Sequence, residues 1–105
     1  MASRHTILLV QPTRVAASRT FFDFPTVYEA MDEVVKMYEK QLKQLNPTIP
    51  HITYDISHLL RFVDDLADIS ALVFDPRTKQ YSPHSKEWVK SKIYENLKQQ
   101  AGGGR

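Results

Sequence analysis

The 105-residue chain has no cysteine. Disulfides, thiolate metal sites, iron–sulfur clusters and cysteine nucleophiles are therefore excluded, and a reducing compartment suits it. Glycine is almost missing, and its three copies stand together at 102–104. A phosphate-cradling loop needs glycine between a strand and a helix, so the common nucleotide-binding loops are excluded too. Long apolar runs are also lacking. Ile7-Leu8-Leu9-Val10 and Ala71-Leu72-Val73-Phe74 are the longest, far short of the ~20 residues of a membrane helix. Met1-Ala2-Ser3-Arg4-His5 lacks the apolar stretch of a secretory leader, so none is expected. Charge has no strong bias. Fourteen Lys and Arg against 12 Asp and Glu leave +2, too little by itself to argue for nucleic acid.

What is present is the composition of a globular domain, 42% hydrophobic and 25% charged. The length allows one core. Residues 1–100 read as a single domain and 101–105 as a flexible glycine-rich tail.

Residues 5–11 form a β-rich run ended by Pro12, and Thr20–Phe24 a short aromatic strand closed by Pro25. Val27, Met31, Val34, Tyr38, Leu42 and Leu45 recur at helical spacing, with Thr26 and Glu29 as a capping box and Asn46-Pro47 as the stop. A second helix, capped by Asp55 or Ser57, runs to about Ala67 on an apolar face of Ile56, Leu59, Leu60, Val63 and Ala67. Arg61 lies one turn from Asp64 and Asp65 and can pair with either. Ile69–Phe74 and Lys79–Ser82 flank a turn at Asp75-Pro76-Arg77-Thr78, making a hairpin. Lys86 to about Gln100 is a third helix, striped by Val89, Ile93 and Leu97 and flanked by Trp88 and Tyr94. The order β-β-α-α-β-β-α defines an α+β fold.

A sheet with one wet face alternates apolar and polar residues. The first strand does not: Ile7 and Leu9 point one way, Leu8 and Val10 the other. The third strand repeats this with Ala71 and Val73 against Leu72 and Phe74. Three helices cover one face of a small sheet, and nothing remains for the other. A second copy packed sheet to sheet about a two-fold axis resolves this; a helix on each face is the alternative.

Catalytic chemistry is hard to find. The four histidines, at 5, 51, 58 and 84, lack a two-histidine metal spacing. Asp64, Asp65 and Asp68 read as a solvated acidic face rather than an acid–base pair. Asp55, Ser57 and His58 are adjacent in sequence, which says nothing about a triad. No enzyme activity, cofactor, metal or small-molecule substrate is expected. A basic stripe on the third helix, Lys86, Lys90, Lys92 and Lys98, leaves direct RNA binding as the alternative function, although the strands lack the aromatic RNA-recognition pattern. Thr20-x-x-Asp23 and Thr26-x-x-Glu29 fit an acidic-directed kinase pattern, so Thr20 and Thr26 are candidate phosphorylation sites.

His5-Thr-Ile-Leu-Leu-Val-Gln-Pro12, Arg19-Thr20, Ile52-Thr-Tyr-Asp-Ile-Ser57, Phe62-Val-Asp-Asp-Leu-Ala-Asp68, Leu72-Val73 and Trp88-Val-Lys-x-Lys-Ile-Tyr94 together resemble the enhancer of rudimentary homologue family over nearly the whole chain. The resemblance implies three helices on one face of a four-stranded antiparallel sheet and a homodimer through the other. It places Ile7 and Leu9 in the dimer contact, with His5 at its rim. Ala71 and Val73 are assigned to the same interface. It also implies a non-enzymatic adaptor that binds short peptide segments of RNA-processing or RNA-binding proteins, without a membrane. Family roles lie in RNA decay, small-RNA processing, splicing, the cell cycle and chromosome segregation. Location is implied to be mainly nuclear, with the cytoplasm and perinuclear RNA granules left open. Exposed aromatics Phe21, Phe22, Phe24 and Tyr81 are the candidate partner-binding residues. Residues 15–18, the phenylalanine-rich second strand and the glycine tail depart from the family pattern, as in a divergent paralogue with its own partner.

Overall fold

A computed structural model describes residues 4–50 and 52–103. Its elements are β1 (Thr6–Gln11), β2 (Thr20–Phe24), α1 (Val27–Leu45), α2 (Ile56–Asp65), β3 (Asp68–Asp75), β4 (Gln80–His84) and α3 (Lys86–Gly103), with a single 3-10 turn at Ala16–Ser18. The four strands form one antiparallel sheet in the order β2-β1-β3-β4. Fold class and element order are those expected from the sequence.

The helices start and stop for identifiable reasons. Thr26 is the N-cap of α1, its hydroxyl accepting from the Glu29 N–H at 3.1 Å. The reciprocal half of the expected capping box differs, because the Thr26 hydroxyl, not its backbone N–H, donates to the Glu29 carboxylate, at 3.5 Å. At the other end the Asn46 side chain donates to the Leu42 carbonyl at 3.1 Å, which meets one of the orphan acceptors of the last turn. Asp55 is the N-cap of α2, and its N–H donates to His58 Nδ1 at 3.3 Å. That helix stops at Asp65 rather than near Ala67, because Leu66 turns extended with ψ 139°. The Lys86 ammonium donates to the freed carbonyls of Asp64 and Leu66, at 3.0 and 2.7 Å. A cation from α3 thus caps the negative end of α2. Ala67 is consequently exposed rather than on the apolar face of α2.

Pro83 sits within β4, where an edge strand tolerates the missing N–H. Lys79 takes a left-handed φ of 60° to close the β3–β4 turn. α3 continues past Gln100 to Gly103, so residues 101–103 of the expected tail are helical in backbone; residues 104–105 lie outside the described residues.

Register decides the faces. Leu8 stands opposite Phe22 on one side and Ala71 on the other, while Ile7 stands opposite Asp23 and Leu72. Leu8, Val10, Ile69, Ala71 and Val73 therefore share the inner face. They pack in one core with Met31 and Val34 of α1, Leu59 and Val63 of α2, and Val89 and Ile93 of α3. This corrects the assignment of Ala71 and Val73 to an outer interface: they are 0% and 4% exposed, within that core. The outward residues of β3 are Leu72 and Phe74, because antiparallel pairing puts Ala71 beside Leu8.

Ala71→Arg drives a charge into this core and is expected to abolish folding, at a cost of several kcal/mol. Leu72→Arg points outward and should leave the chain folded. Far-ultraviolet circular dichroism and urea unfolding of both variants check the assignment.

Candidate functional site

Three rows of side chains cross the outer face of the sheet. His5, Phe74 and Tyr81 form the first, Ile7, Asp23, Leu72 and Pro83 the second, and Leu9, Phe21 and Ser70 the third. The inner face carries the core, and no element among the described residues lies over these rows. Phe21, Tyr81 and Leu9 are 71%, 41% and 36% exposed, while Ile7, Leu72 and Phe74 are half-buried by one another and by their neighbours. These side chains form a contiguous apolar patch, a feature that monomeric soluble proteins keep small.

One corner of the patch is polar. His5 Nδ1 lies 2.7 Å from the Tyr81 hydroxyl, and Nε2 lies 3.1 Å from Asp23 Oδ2. The imidazole edge also meets the Tyr81 ring, at 5.9 Å between centroids and 83° between planes. Tyr81 in turn leans on Phe74 at 5.3 Å. His5 thus bridges β2 and β4, the two edge strands, across the middle of the sheet.

The four candidate aromatics split between faces. Phe21 and Tyr81 look outward. Phe22 and Phe24 lie on the helix side, 6.4 Å apart, with Phe24 packed against the core. Thr20 is exposed on the helix-side face of β2, opposite Val10, and the Thr26 hydroxyl is engaged as the α1 cap.

The basic stripe of α3 is tied up within the molecule. Lys86 caps α2, and Lys90 binds Asp64 at 2.8 Å and Glu87 at 3.7 Å. The hydrogen bond to Asp64 leads the effects that hold the Lys90 ammonium above its usual pKa. Lys92 pairs with Glu95 at 3.4 Å, and Lys98 lies 5.7 Å over the Tyr94 ring. Asp64 accordingly belongs to an ion pair rather than to an acid–base pair. Among the described residues no group of three or more His, Asp or Glu is placed to hold a metal.

Two aromatic arrangements were not readable from the sequence. His84 stacks flat on Trp88, with centroids 4.0 Å apart and planes at 18°. Burial, and then the Lys92 charge, lowers the His84 pKa. Their spacing of four offered a faint signal, hidden because a strand end and a helix start lie between them. Tyr54 donates to the Glu39 carboxylate at 2.8 Å and meets Tyr38 edge-on at 5.1 Å. Burial first, then the hydrogen bond to Glu39, raises the Tyr54 phenol above its usual range.

The chain is a small α+β domain whose sheet has one helix-covered and one bare apolar face. The family model of enhancer of rudimentary matches residues 2–103. The enhancer of rudimentary homolog of Echinococcus multilocularis is 52% identical over 99 residues, covering 93% of this chain and 97% of that protein. The Arabidopsis thaliana homolog is 45% identical over 104 residues, covering 99% and 95%. The protein enhancer of rudimentary of Drosophila virilis is 52% identical over 97 residues, covering 92% and 93%. The chain belongs to the enhancer of rudimentary family. None of these names states an enzymatic activity.

The lowered pKa of His84 predicts a pH effect on stability. The unfolded imidazole has the ordinary value near 6.5, so as pH falls through it the unfolded chain takes up the proton first. Its contribution is complete above that value and is lost as pH drops toward the folded value. The stability advantage of the wild type over His84→Gln should therefore shrink between about pH 7.5 and 5.5. Thermal melts of both proteins at matched ionic strength check this.

Proposed function

We propose that the chain acts as a non-catalytic homodimeric adaptor for RNA-processing proteins. The observation that carries the reading is the bare outer face of the sheet, centred on Ile7, Leu9, Leu72 and Phe74. A second copy is self-complementary to such a face about a two-fold axis, and burying it removes the apolar patch from water. Phe21, and the His5–Asp23–Tyr81 corner, fall at the margin of that contact. A two-fold dimer repeats every remaining surface twice, which lets one molecule bridge two partner segments. Family membership supports partners among RNA-processing factors acting in RNA decay, small-RNA processing or splicing, with cell-cycle and chromosome-segregation roles, and a mainly nuclear site of action.

Direct RNA binding draws no support from α3. Lys86, Lys90 and Lys92 already have intramolecular oxygen partners, and releasing phosphate-bound counterions needs cations that are free to meet phosphates.

Light scattering on a sizing column at micromolar concentration is expected to give twice the 12.2 kDa chain mass. Ile7→Arg combined with Leu9→Arg places unpaired charges in the contact, at about 3–5 kcal/mol each. This variant should run as a folded monomer. A wild-type mass of one chain overturns the dimer.

A further inference from the structure

Of the six prolines in the chain, only Pro83 follows a serine or threonine. It follows Ser82, and both are exposed on β4, an edge strand of the sheet. The Phe74 N–H donates to the His5 carbonyl at 2.9 Å. Main-chain bonding alternates along a strand, so Val73 and Ala71 turn theirs to β4, and Ser82 and His84 answer them. Tyr81 and Pro83 therefore present their main chain to the open edge, where the missing proline N–H costs no ladder bond. Ser82 is held in an extended segment with one free edge, the form in which a kinase reads a substrate strand.

The side chain of Ser82 stands on the helix side, since it lies opposite the inward Val73. His84 is on the same side, two residues and about 7 Å further along the strand. There it lies flat on Trp88. Unlike the Thr26 hydroxyl, which caps α1, neither the Ser82 hydroxyl nor a His84 ring nitrogen has a hydrogen-bond partner among the described residues. The surroundings of His84 are electropositive. The Lys92 ammonium lies 5.6 Å over the Trp88 ring, and after burial it is the influence that keeps the imidazole neutral. Glu87 and Glu95 on the same helix are engaged by Lys90 and Lys92. β3 offers Ala71 and Val73 opposite His84 and Ser82, and neither titrates.

We propose that Ser82 is a phosphorylation site for a proline-directed protein kinase, and that its phosphate is held by the imidazolium of His84. The γ-phosphoryl group of ATP passes to Ser82 Oγ. The Oγ–P bond forms, the bond from the γ-phosphorus to the bridging oxygen breaks, ADP leaves, and the hydroxyl proton passes to the kinase. The new group brings a negative charge and three acceptor oxygens. A charged imidazole beside it donates an N–H and balances that charge. The modification thus reverses the behaviour of His84: neutral in the unmodified chain, it takes up a proton beside the phosphate. The site lies at the β4 edge on the helix side, away from Ile7 and Leu9, so it does not depend on the proposed dimer.

The test treats the full-length protein with magnesium, ATP and two proline-directed kinases, one cyclin-dependent and one mitogen-activated. Intact mass is expected to show one phosphoryl group, lost in Ser82→Ala and in Pro83→Ala, with circular dichroism showing both variants folded. The His84 resonance is assigned by its absence from His84→Gln. Its proton NMR titration midpoint should lie about one pH unit higher in the phosphorylated protein. Phosphorus NMR should show the second proton of the phosphate leaving at lower pH than in phosphorylated His84→Gln, which a phosphate standing free in water does not explain. Four results overturn the proposal: no phosphate from either kinase; a phosphate accepted by a peptide of residues 76–88 and refused by the folded protein; a phosphate retained in Ser82→Ala; or a His84 midpoint that stays or falls.

Discussion

The pleat of β1 is the constraint on which the rest depends. This strand lies between β2 and β3, so both its neighbours are fixed by its register. Successive side chains must point to opposite faces, and here both sets are apolar. Leu8 and Val10 hold the helical layer to the sheet, with exposures of 0% and 3%. The same geometry forces Ile7 and Leu9 outward. No rotation of the strand buries all four under a single layer of helices, because a slip by one residue only exchanges the two sets. The bare apolar face is thus a consequence of the same residues that build the core.

The polar groups distribute in a complementary way. Two of the four charges that look in sequence like a basic stripe for nucleic acid tie α3 to α2, Lys86 on two carbonyls and Lys90 on Asp64, while Lys92 and Lys98 make their contacts within α3. The exposed pair adds little energy by itself, but the Lys86 contacts satisfy acceptors that the abrupt end of α2 would otherwise leave open. On the outer face His5, Asp23 and Tyr81 satisfy one another at a corner of the apolar patch. Side chains of the same type therefore differ in what they offer a partner, according to which of them the fold has already used.

The helices were legible because a period of three to four residues survives in sequence, as in Met31, Val34 and Tyr38, and because Thr26 and Asn46 punctuate it. The inner and outer faces of β1 were legible as two sets. The faces of β3 were not: Ala71-Leu72-Val73-Phe74 is apolar throughout, so no polarity marks which pair is buried. Only the pairing of Leu8 with Ala71 settles it. The aromatic β2 has the same ambiguity, since nothing local separates Phe22 and Phe24 from Phe21; the pairing with β1 does. Apolar spacing carries α2 on to Ala67, whereas the backbone turns at Leu66 to enter β3 and the helix ends at Asp65.

By itself the sequence determined the class of the fold, the order of its elements, the two-faced first strand and the lack of cysteine or glycine-loop chemistry. These follow from local periodicity and composition, which are properties of neighbouring residues. The tertiary structure decided which residues of β3 face outward, which lysines are occupied, and that His5 meets Tyr81 76 positions away. Those are contacts between distant segments, and their partners are chosen by strand register and helix packing, which no local spacing encodes.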